Sequence, residues 1–165
     1  MMEGGIGLSI NRGKAFEDVV RHCFEQVPNT SVIRLPDPTN GYLGIRNISD
    51  FVIYHYPHQY FIECKSVHGN TLPFSNITDN QWNGMLEESK KKGVIAGVIC
   101  WWVDKDVTKF ISIEELQSIK TYLPESKSVR YDTELGVTIE GIKKRIFYDY
   151  DMKQFFKEVT NGKTN

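Results

Sequence analysis

Cysteine, charge of one sign and long apolar runs are all scarce in this sequence, and each scarcity excludes a class of protein. The chain of 165 residues has three cysteines, Cys23, Cys64 and Cys100, which lie far apart and within apolar segments. Such thiols are expected to be reduced and buried, rather than members of a disulfide framework or a zinc site. No run approaches the roughly 18 apolar residues that cross a bilayer, and the N-terminus has no signal-peptide pattern. We therefore expect a cytoplasmic protein that makes no contact with a membrane.

Opposite charges nearly cancel along the chain, with 20 Lys and Arg residues against 21 Asp and Glu residues and a net charge of −1. This balance excludes a protein that covers nucleic acid with a uniformly basic surface, so any such contact must use local patches. With 40% hydrophobic residues, the chain can form one substantial core and is too short for two ordinary domains. We expect a single domain over residues 1–165, with flexible ends at 1–10 and 161–165.

Helical and extended patterns of apolar residues alternate along the chain. Helices are predicted over residues 11–27, 80–91, 112–120 and 152–159. Strands are predicted over residues 31–35, 50–54, 59–65, 93–103, 107–111, 137–139 and 146–150. The run at 93–103 is almost entirely apolar and fits a central strand that is covered on both faces. We therefore expect an α/β fold with a single mixed central sheet flanked by helices.

One predicted hairpin, SDFVIYHYPHQYFIECKS at residues 49–66, contains charged residues where a core would need apolar ones. Asp50 opens its first strand, and Glu63 and Lys65 end its second. Alternate residues of a strand point to one face, so Glu63 and Lys65 are neighbours, and strand pairing brings Asp50 close to them. Two adjacent carboxylates resist joint ionisation unless a cation compensates, and such oxygen ligands suit Mg²⁺ or Mn²⁺. The pattern is typical of phosphodiester hydrolysis, with the lysine beside the attacking water.

Each of these residues also has an interpretation without catalytic function. Glu63 and Lys65 could form an ion pair on an exposed edge strand, and Asp50 could serve a turn. Glu17, which borders the apolar stripe of the first helix, could pair with Arg21 four positions later. Taken singly, the residues leave these alternatives open.

The order of these residues resembles that of a known group of enzymes. A glutamate on the first helix, then an aspartate, then Glu-x-Lys resembles the PD-(D/E)xK nuclease superfamily, and archaeal junction resolvases have a similar order. The closer resemblance is to the RecU-type Holliday junction resolvases of Gram-positive bacteria and their phages. NRGKAFEDVV is similar to that family's opening segment, SDF…ECKS to its catalytic hairpin, and LPFSNITDNQWNGM to the start of the following helix. GVIAGVICWW is similar to the next strand, and the similarity extends from about Asn11 to Ile119.

The resemblance implies a restriction-endonuclease-like fold and a defined set of site residues. Asp50 and Glu63 would bind Mg²⁺, for which Mn²⁺ could substitute, and the backbone carbonyl of Cys64 would add a ligand. Lys65 would assist the nucleophilic water, and Glu17 would complete or support the metal site. The activity so implied is that of a metal-dependent endodeoxyribonuclease of DNA recombination and repair. The enzyme implied by the resemblance would be a Holliday junction resolvase that acts as a homodimer and makes paired nicks in a four-way junction.

Contacts with DNA are expected at further residues. The resemblance places Gln81 near the DNA backbone or the active site. Basic side chains nominated for their charge are Arg12, Lys14, Lys90, Lys91, Lys92, Lys143, Lys144 and Arg145. His68, which follows the second strand of the hairpin, could contact a phosphate, but its default interpretation is a loop residue.

The chain departs from the resolvase family in two segments. The segment between the first strand and Asp50 is short, which implies a reduced form of the stalk that the family inserts into the junction, and a basic N-terminal arm is nearly absent. The compact form suggests a phage or prophage origin, in which case the compartment is the host cytoplasm. Two alternatives stay open: another nuclease of the superfamily that cuts duplex DNA, and a non-catalytic DNA-binding recombination protein.

Overall fold

The computed structural model describes residues 11–36 and 47–161 of the chain. Its helices are α1 (Arg12–Glu25), α2 (Asp79–Ser89), α3 (Ile113–Tyr122) and α4 (Met152–Asn161). Its strands are β1 (Thr30–Arg34), β2 (Phe51–His55), β3 (His58–Val67), β4 (Thr71–Pro73), β5 (Val94–Trp102), β6 (Val107–Ser112), β7 (Ser128–Arg130), β8 (Val137–Thr138), β9 (Gly141–Lys143) and β10 (Tyr148–Tyr150). Residues 1–10, 162–165 and most of the shortened stalk lie outside the described residues, whereas Asn161, expected in a flexible end, ends α4.

The main sheet has six strands in the order β1-β2-β3-β5-β6-β8. β3 and β5 run parallel, and the other neighbours run antiparallel. The prediction of a single mixed central sheet flanked by helices is therefore confirmed. β5 is buried along nearly its whole length, as its apolar sequence predicts, because helices cover both of its faces.

Alternation along β3 divides the core between the two faces of the sheet. Tyr60, Ile62 and Cys64 point to the face covered by α1 and α4. Phe61 and Val67 point to the opposite face, which α2 and α3 cover. The aromatic residues that pack from α1 and α4 are Phe16, Phe24, Phe155 and Phe156. The strand can therefore place charged side chains at its end only on the α2 face, at positions 63 and 65.

β3 extends beyond its pairing with β2. β3 pairs with β2 as far as Ile62, which lies opposite Phe51, and then continues to Val67 beside β5. The edge of Cys64–Val67 that faces away from β5 is called the edge notch below. The same register sets Val67 beside Trp102, so the loops that follow β3 and β5 meet at the end of the sheet where the notch lies.

Short elements at this end of the sheet are not predicted by the sequence pattern. β4, β7 and β9 have three residues each, which is too few for alternation to show. β4 pairs with β7, and β9 pairs with β10.

Cys23, Cys64 and Cys100 are buried free thiols, as expected. No helix in the described part of the chain has the length and apolar character needed to cross a bilayer.

Candidate active site

The position of Asp50 is set by the end of the ladder between β2 and β3, where its carboxylate takes the place of a backbone acceptor. Its own N–H donates to the carbonyl of Ile62 at 3.1 Å, which continues the ladder by one residue. Its carboxylate Oδ2 then accepts a hydrogen bond from the N–H of Cys64 at 2.7 Å. Because the N–H and C=O of one strand residue point to the same side, the carbonyl of Cys64 is also directed into the edge notch. The carboxylate and this carbonyl thus face the same space.

Glu63 is buried, with only 2% of its surface exposed. Its Oε1 accepts hydrogen bonds from Lys65 Nζ at 2.9 Å and from Gln81 Nε2 at 2.9 Å. Its Oε2 is buried and has no hydrogen-bond partner. A buried carboxylate oxygen without a donor is costly, so this atom indicates a missing proton or cation.

Asp50 and Glu63 are close enough to share a hydrogen bond when one of them is protonated. Burial, with the nearby charge of Glu63, raises the pKa of Asp50 from 3.8 to about 7. Burial also raises the pKa of Glu63, although the ammonium of Lys65 opposes that effect. The pair therefore resists carrying two negative charges in the absence of a cation.

The residues present fit a hard divalent cation. Two carboxylates, one of which has an oxygen without a donor, and a carbonyl directed into the notch are the ligand types that Mg²⁺ prefers. Over residues 11–36 and 47–161, no group of three or more His, Cys, Asp or Glu side chains is arranged to hold a metal. Water and substrate oxygens would have to complete the shell, as is usual for Mg²⁺ in phosphate-processing sites. The thiol of Cys64 lies in the core, where burial raises its pKa well above the ordinary value.

Glu17 lies across a cleft from the hairpin, on α1. The cleft has a volume of about 360 Å³ and is lined by Asn11, Gly13, Lys14, Glu17, Arg34, Cys64, Lys65 and Ser66. Glu17 Oε2 forms an ion pair with Arg34 at 3.2 Å, whereas Arg21, the partner considered from helix spacing, binds Asp18 at 3.3 Å. The charge of Glu17 also raises the pKa of Glu63. Glu17 therefore borders the site, held by an arginine that sequence spacing does not reveal.

Gln81 contacts the candidate site through Glu63. Its Oε1 accepts from the N–H of Thr78 at 3.0 Å, and Thr78 Oγ1 accepts from the N–H of Gln81 at 3.2 Å. This capping box begins α2 and fixes the amide so that Nε2 points at Glu63. Gln81 therefore lies beside Glu63 in the candidate site, and its proximity to DNA stays a prediction.

Two other contacts join α2 to the segment before Asp50. Asn80 Nδ2 donates to the carbonyl of Asn47 at 3.2 Å. Ile48 packs against Gly84 so closely that a Cβ at position 84 would overlap the Ile48 side chain. α2 therefore holds both carboxylate-bearing segments.

The basic residues nominated for DNA contact fall at two ends of the sheet. At the end with the notch, Lys14 lines the cleft, Arg12 lies beside His68, and Lys143 pairs with Asp106 at 2.9 Å. Lys144 and Arg145 are exposed in the turn after Lys143. Lys90, Lys91 and Lys92 lie at the other end, where β5 begins, roughly 20 Å away for six strand residues. Lys90 and Lys91 there form surface pairs with Glu87 and Glu88. The structure therefore places the first set, but not Lys90, Lys91 and Lys92, at the end of the sheet that carries the candidate site.

Comparison with known proteins finds similarity in structure but not in sequence. No protein-family model matches the chain, and no curated protein matches it by sequence. The fold is similar to that of Hjc from Archaeoglobus fulgidus, described as a Holliday junction resolvase from an archaeal hyperthermophile. The two chains are 16% identical, the match covers 78% of this chain and 88% of that chain, and the TM-score is 0.47. A likeness at this level does not establish an activity.

Proposed function

We propose that this protein is a Mg²⁺-dependent endodeoxyribonuclease that resolves four-way DNA junctions. One observation carries the nuclease part: the buried pair of Asp50 and Glu63, with one oxygen lacking a donor, lies beside Lys65 at an open sheet edge. The junction part, with the homodimer and its paired nicks, is supported by the motifs NRGKAFEDVV and SDF…ECKS and their resemblance to RecU-type resolvases.

Asp50, Glu63 and the carbonyl of Cys64 are the groups that would hold the metal. When bound there, Mg²⁺ or Mn²⁺ lowers the pKa of a water molecule and neutralises charge on the phosphate. The Cys64 N–H donates to the Asp50 carboxylate and so keeps that carboxylate in place. Gln81 does the same for Glu63 from the other side. The carboxylates are thereby fixed before substrate arrives, which reduces the cost of ordering them during the reaction.

Lys65 is placed to act on the reacting groups. Its ammonium is held 2.9 Å from Glu63 and is 23% exposed, at the wall of the cleft. From there it can donate to the attacking water or to a phosphate oxygen as negative charge develops on the phosphorane. The water oxygen forms a bond to phosphorus as the P–O bond to the leaving sugar oxygen breaks. The water loses a proton to solvent, and the leaving oxygen takes a proton from solvent, so the products are a phosphate monoester and a free hydroxyl. Glu17 and Arg34 form the opposite wall of the cleft.

The test is strand-specific cleavage of an end-labelled four-way junction beside a linear duplex of the same sequence, with and without Mg²⁺. We expect symmetrical nicks in the junction that disappear without metal and in Glu63→Gln. Glu87→Gln, which changes an exposed glutamate on α2, serves as the matched control and should cut normally. Equal cutting of the duplex would remove junction selectivity and leave a nuclease, and binding without cleavage under every divalent metal would contradict the enzyme.

The homodimer has its own measurement. Mixed dimers of native and Glu63→Gln subunits, purified through two different tags, should nick only one strand of each junction. Paired nicks by such mixed dimers, or a monomeric mass for the active species in analytical ultracentrifugation, would contradict the proposed assembly.

A further inference from the structure

A second constellation of polar side chains lies at the same end of the sheet as the carboxylate pair. His68 Nδ1 lies 3.0 Å from Asp104 Oδ1, and His68 Nε2 lies 3.4 Å from Arg12 Nη1. Asp104 Oδ2 accepts from the N–H of Gly69 at 2.6 Å. Three elements contribute: the loop after β3, the loop after β5 and the first turn of α1. The sequence offers His68 as a loop residue that could contact a phosphate, and its contacts with Asp104 and Arg12 come from the structure.

The arrangement is fixed by the fold, although its side chains are exposed. The parallel pairing of Val67 with Trp102 brings His68 and Asp104 together across 36 positions of sequence. Asp104 accepts two hydrogen bonds, from a backbone N–H and from the imidazole, and so fixes the orientation of the ring. Nε2 is thereby directed outward, toward the guanidinium of Arg12. A guanidinium only donates, so Nε2 accepts from Arg12 Nη1 while Nδ1–H donates to Asp104. A phosphate oxygen placed between the two side chains would instead accept from Nη1 and from a protonated Nε2.

Charge at the start of α1 indicates the chemical class of the ligand. The first turn of α1 contains Arg12 and Lys14 and no acidic residue. Cations are unfavourable at this end of a helix, because the N-terminus of the helix dipole is itself positive. An anion bound in front of this turn would offset the repulsion and would meet the guanidinium and the imidazole at the same time. DNA supplies such an anion at every phosphate.

We propose that Arg12 and His68, with His68 oriented by Asp104, bind one backbone phosphate of the DNA outside the scissile position. This inference rests on the proposed nuclease function and identifies where the cut strand is held. His68 lies three positions after Lys65, a distance of roughly 10 Å in an extended strand. Successive phosphates of one strand are about 3.4 Å apart along the duplex axis, so the bound phosphate lies within about three nucleotides of the scissile one. Arg12 and His68 are positioning residues, and Asp104 acts through His68.

The experiment replaces single phosphates of the cut strand by neutral methylphosphonates, one at a time, at the three positions on each side of the scissile phosphate. Single-turnover cleavage is measured for the native protein, Arg12→Gln, His68→Gln and Asp104→Ala. Lys90→Gln is the control for loss of one positive charge at the far end of the sheet. At one position, we expect the replacement to slow native cleavage by about 10-fold, as for loss of a charge-assisted hydrogen bond. The same replacement should cost the Arg12 and His68 variants less than about 2-fold, because their contact is already lost.

The outcomes separate this site from the nuclease proposal. If every methylphosphonate slows the Arg12→Gln and His68→Gln variants as much as it slows the native protein, the phosphate site is refuted, whatever the activity. If the methylphosphonate slows Asp104→Ala as much as it slows the native protein, Asp104 does not contribute to the site. If the native protein cuts no DNA, the nuclease proposal fails by itself. The same scan, placed around the crossover and measured as equilibrium binding, then decides on the phosphate site. Melting temperatures equal to that of the native protein confirm that the exposed substitutions leave folding intact.

Discussion

Replacing Asp50 by asparagine should destroy cleavage and yet stabilise the metal-free protein. Burial and Glu63 raise the pKa of Asp50 from 3.8 to about 7 in the folded state. A carboxyl group whose pKa is raised on folding stabilises the protein in its protonated form, fully below pH 4, and this contribution is lost as the pH rises toward 7. The difference in pKa corresponds to a loss on the order of 2–4 kcal/mol at pH 8. An asparagine carries no charge to desolvate, accepts from the Cys64 N–H in the same way, and can donate to the unpartnered Glu63 Oε2.

Thermal melts in EDTA at pH 4.5, 6 and 8 measure this effect. Asp50→Asn should melt roughly 5–15 °C above the native protein at pH 8, and the gap should close at pH 4.5. Mg²⁺ at pH 8 should raise the melting temperature of the native protein and leave that of the variant nearly unchanged. Asp106→Asn is the control, because the Lys143 side chain lowers the pKa of Asp106. This substitution should lower the melting temperature at pH 8 instead of raising it. If the native protein is at least as stable as Asp50→Asn at pH 8 in EDTA, the ionised carboxylate of Asp50 does not destabilise the metal-free protein and the reasoning is refuted.

Three further substitutions test the site and its support. Lys65→Ala should reduce single-turnover cleavage by roughly 10²–10³-fold while the dissociation constant for junction DNA changes little, and equal losses in both would make the lysine a DNA contact only. Gln81→Glu keeps the capping box but cannot donate to Glu63, so cleavage should fall roughly 10–100-fold and require more Mg²⁺, with helix content by circular dichroism unchanged. Gly84→Ala should lower the free energy of unfolding by about 1–3 kcal/mol, since its Cβ meets Ile48, and denaturant unfolding without loss of stability would contradict this packing.

Strand periodicity was sufficient to place the charged residues of the hairpin. Alternation put Glu63 and Lys65 on one face, and hairpin pairing put Asp50 at the matching end, as the structure has them. The bond from the Cys64 N–H to Asp50 could not be predicted, because it depends on where the ladder with β2 stops. Sequence patterns give a strand's face more reliably than its register.

Long-range partners were missed for a physical reason. Arg34 pairs with Glu17 because β1 passes beside α1, and His68 meets Asp104 because β3 and β5 are parallel. Neither contact leaves a local pattern in the sequence, whereas an i,i+4 pair such as Glu17 with Arg21 does, and that local pair was the one considered. The basic residues show the same limit, because charge alone does not predict that Lys143 and Lys90 lie at opposite ends of the sheet.

α2 touches both halves of the carboxylate pair without supplying a ligand. Gln81 binds Glu63, Asn80 binds the backbone at Asn47, and Gly84 accommodates Ile48, two residues before Asp50. A small shift of this one helix would therefore change the spacing between the two carboxylates while leaving their chemistry intact. Mg²⁺ demands a tighter and more regular shell than Ca²⁺ or Mn²⁺. Variation along α2 thus offers a route by which the proposed site could change its preference between cations with the same carboxylates in place.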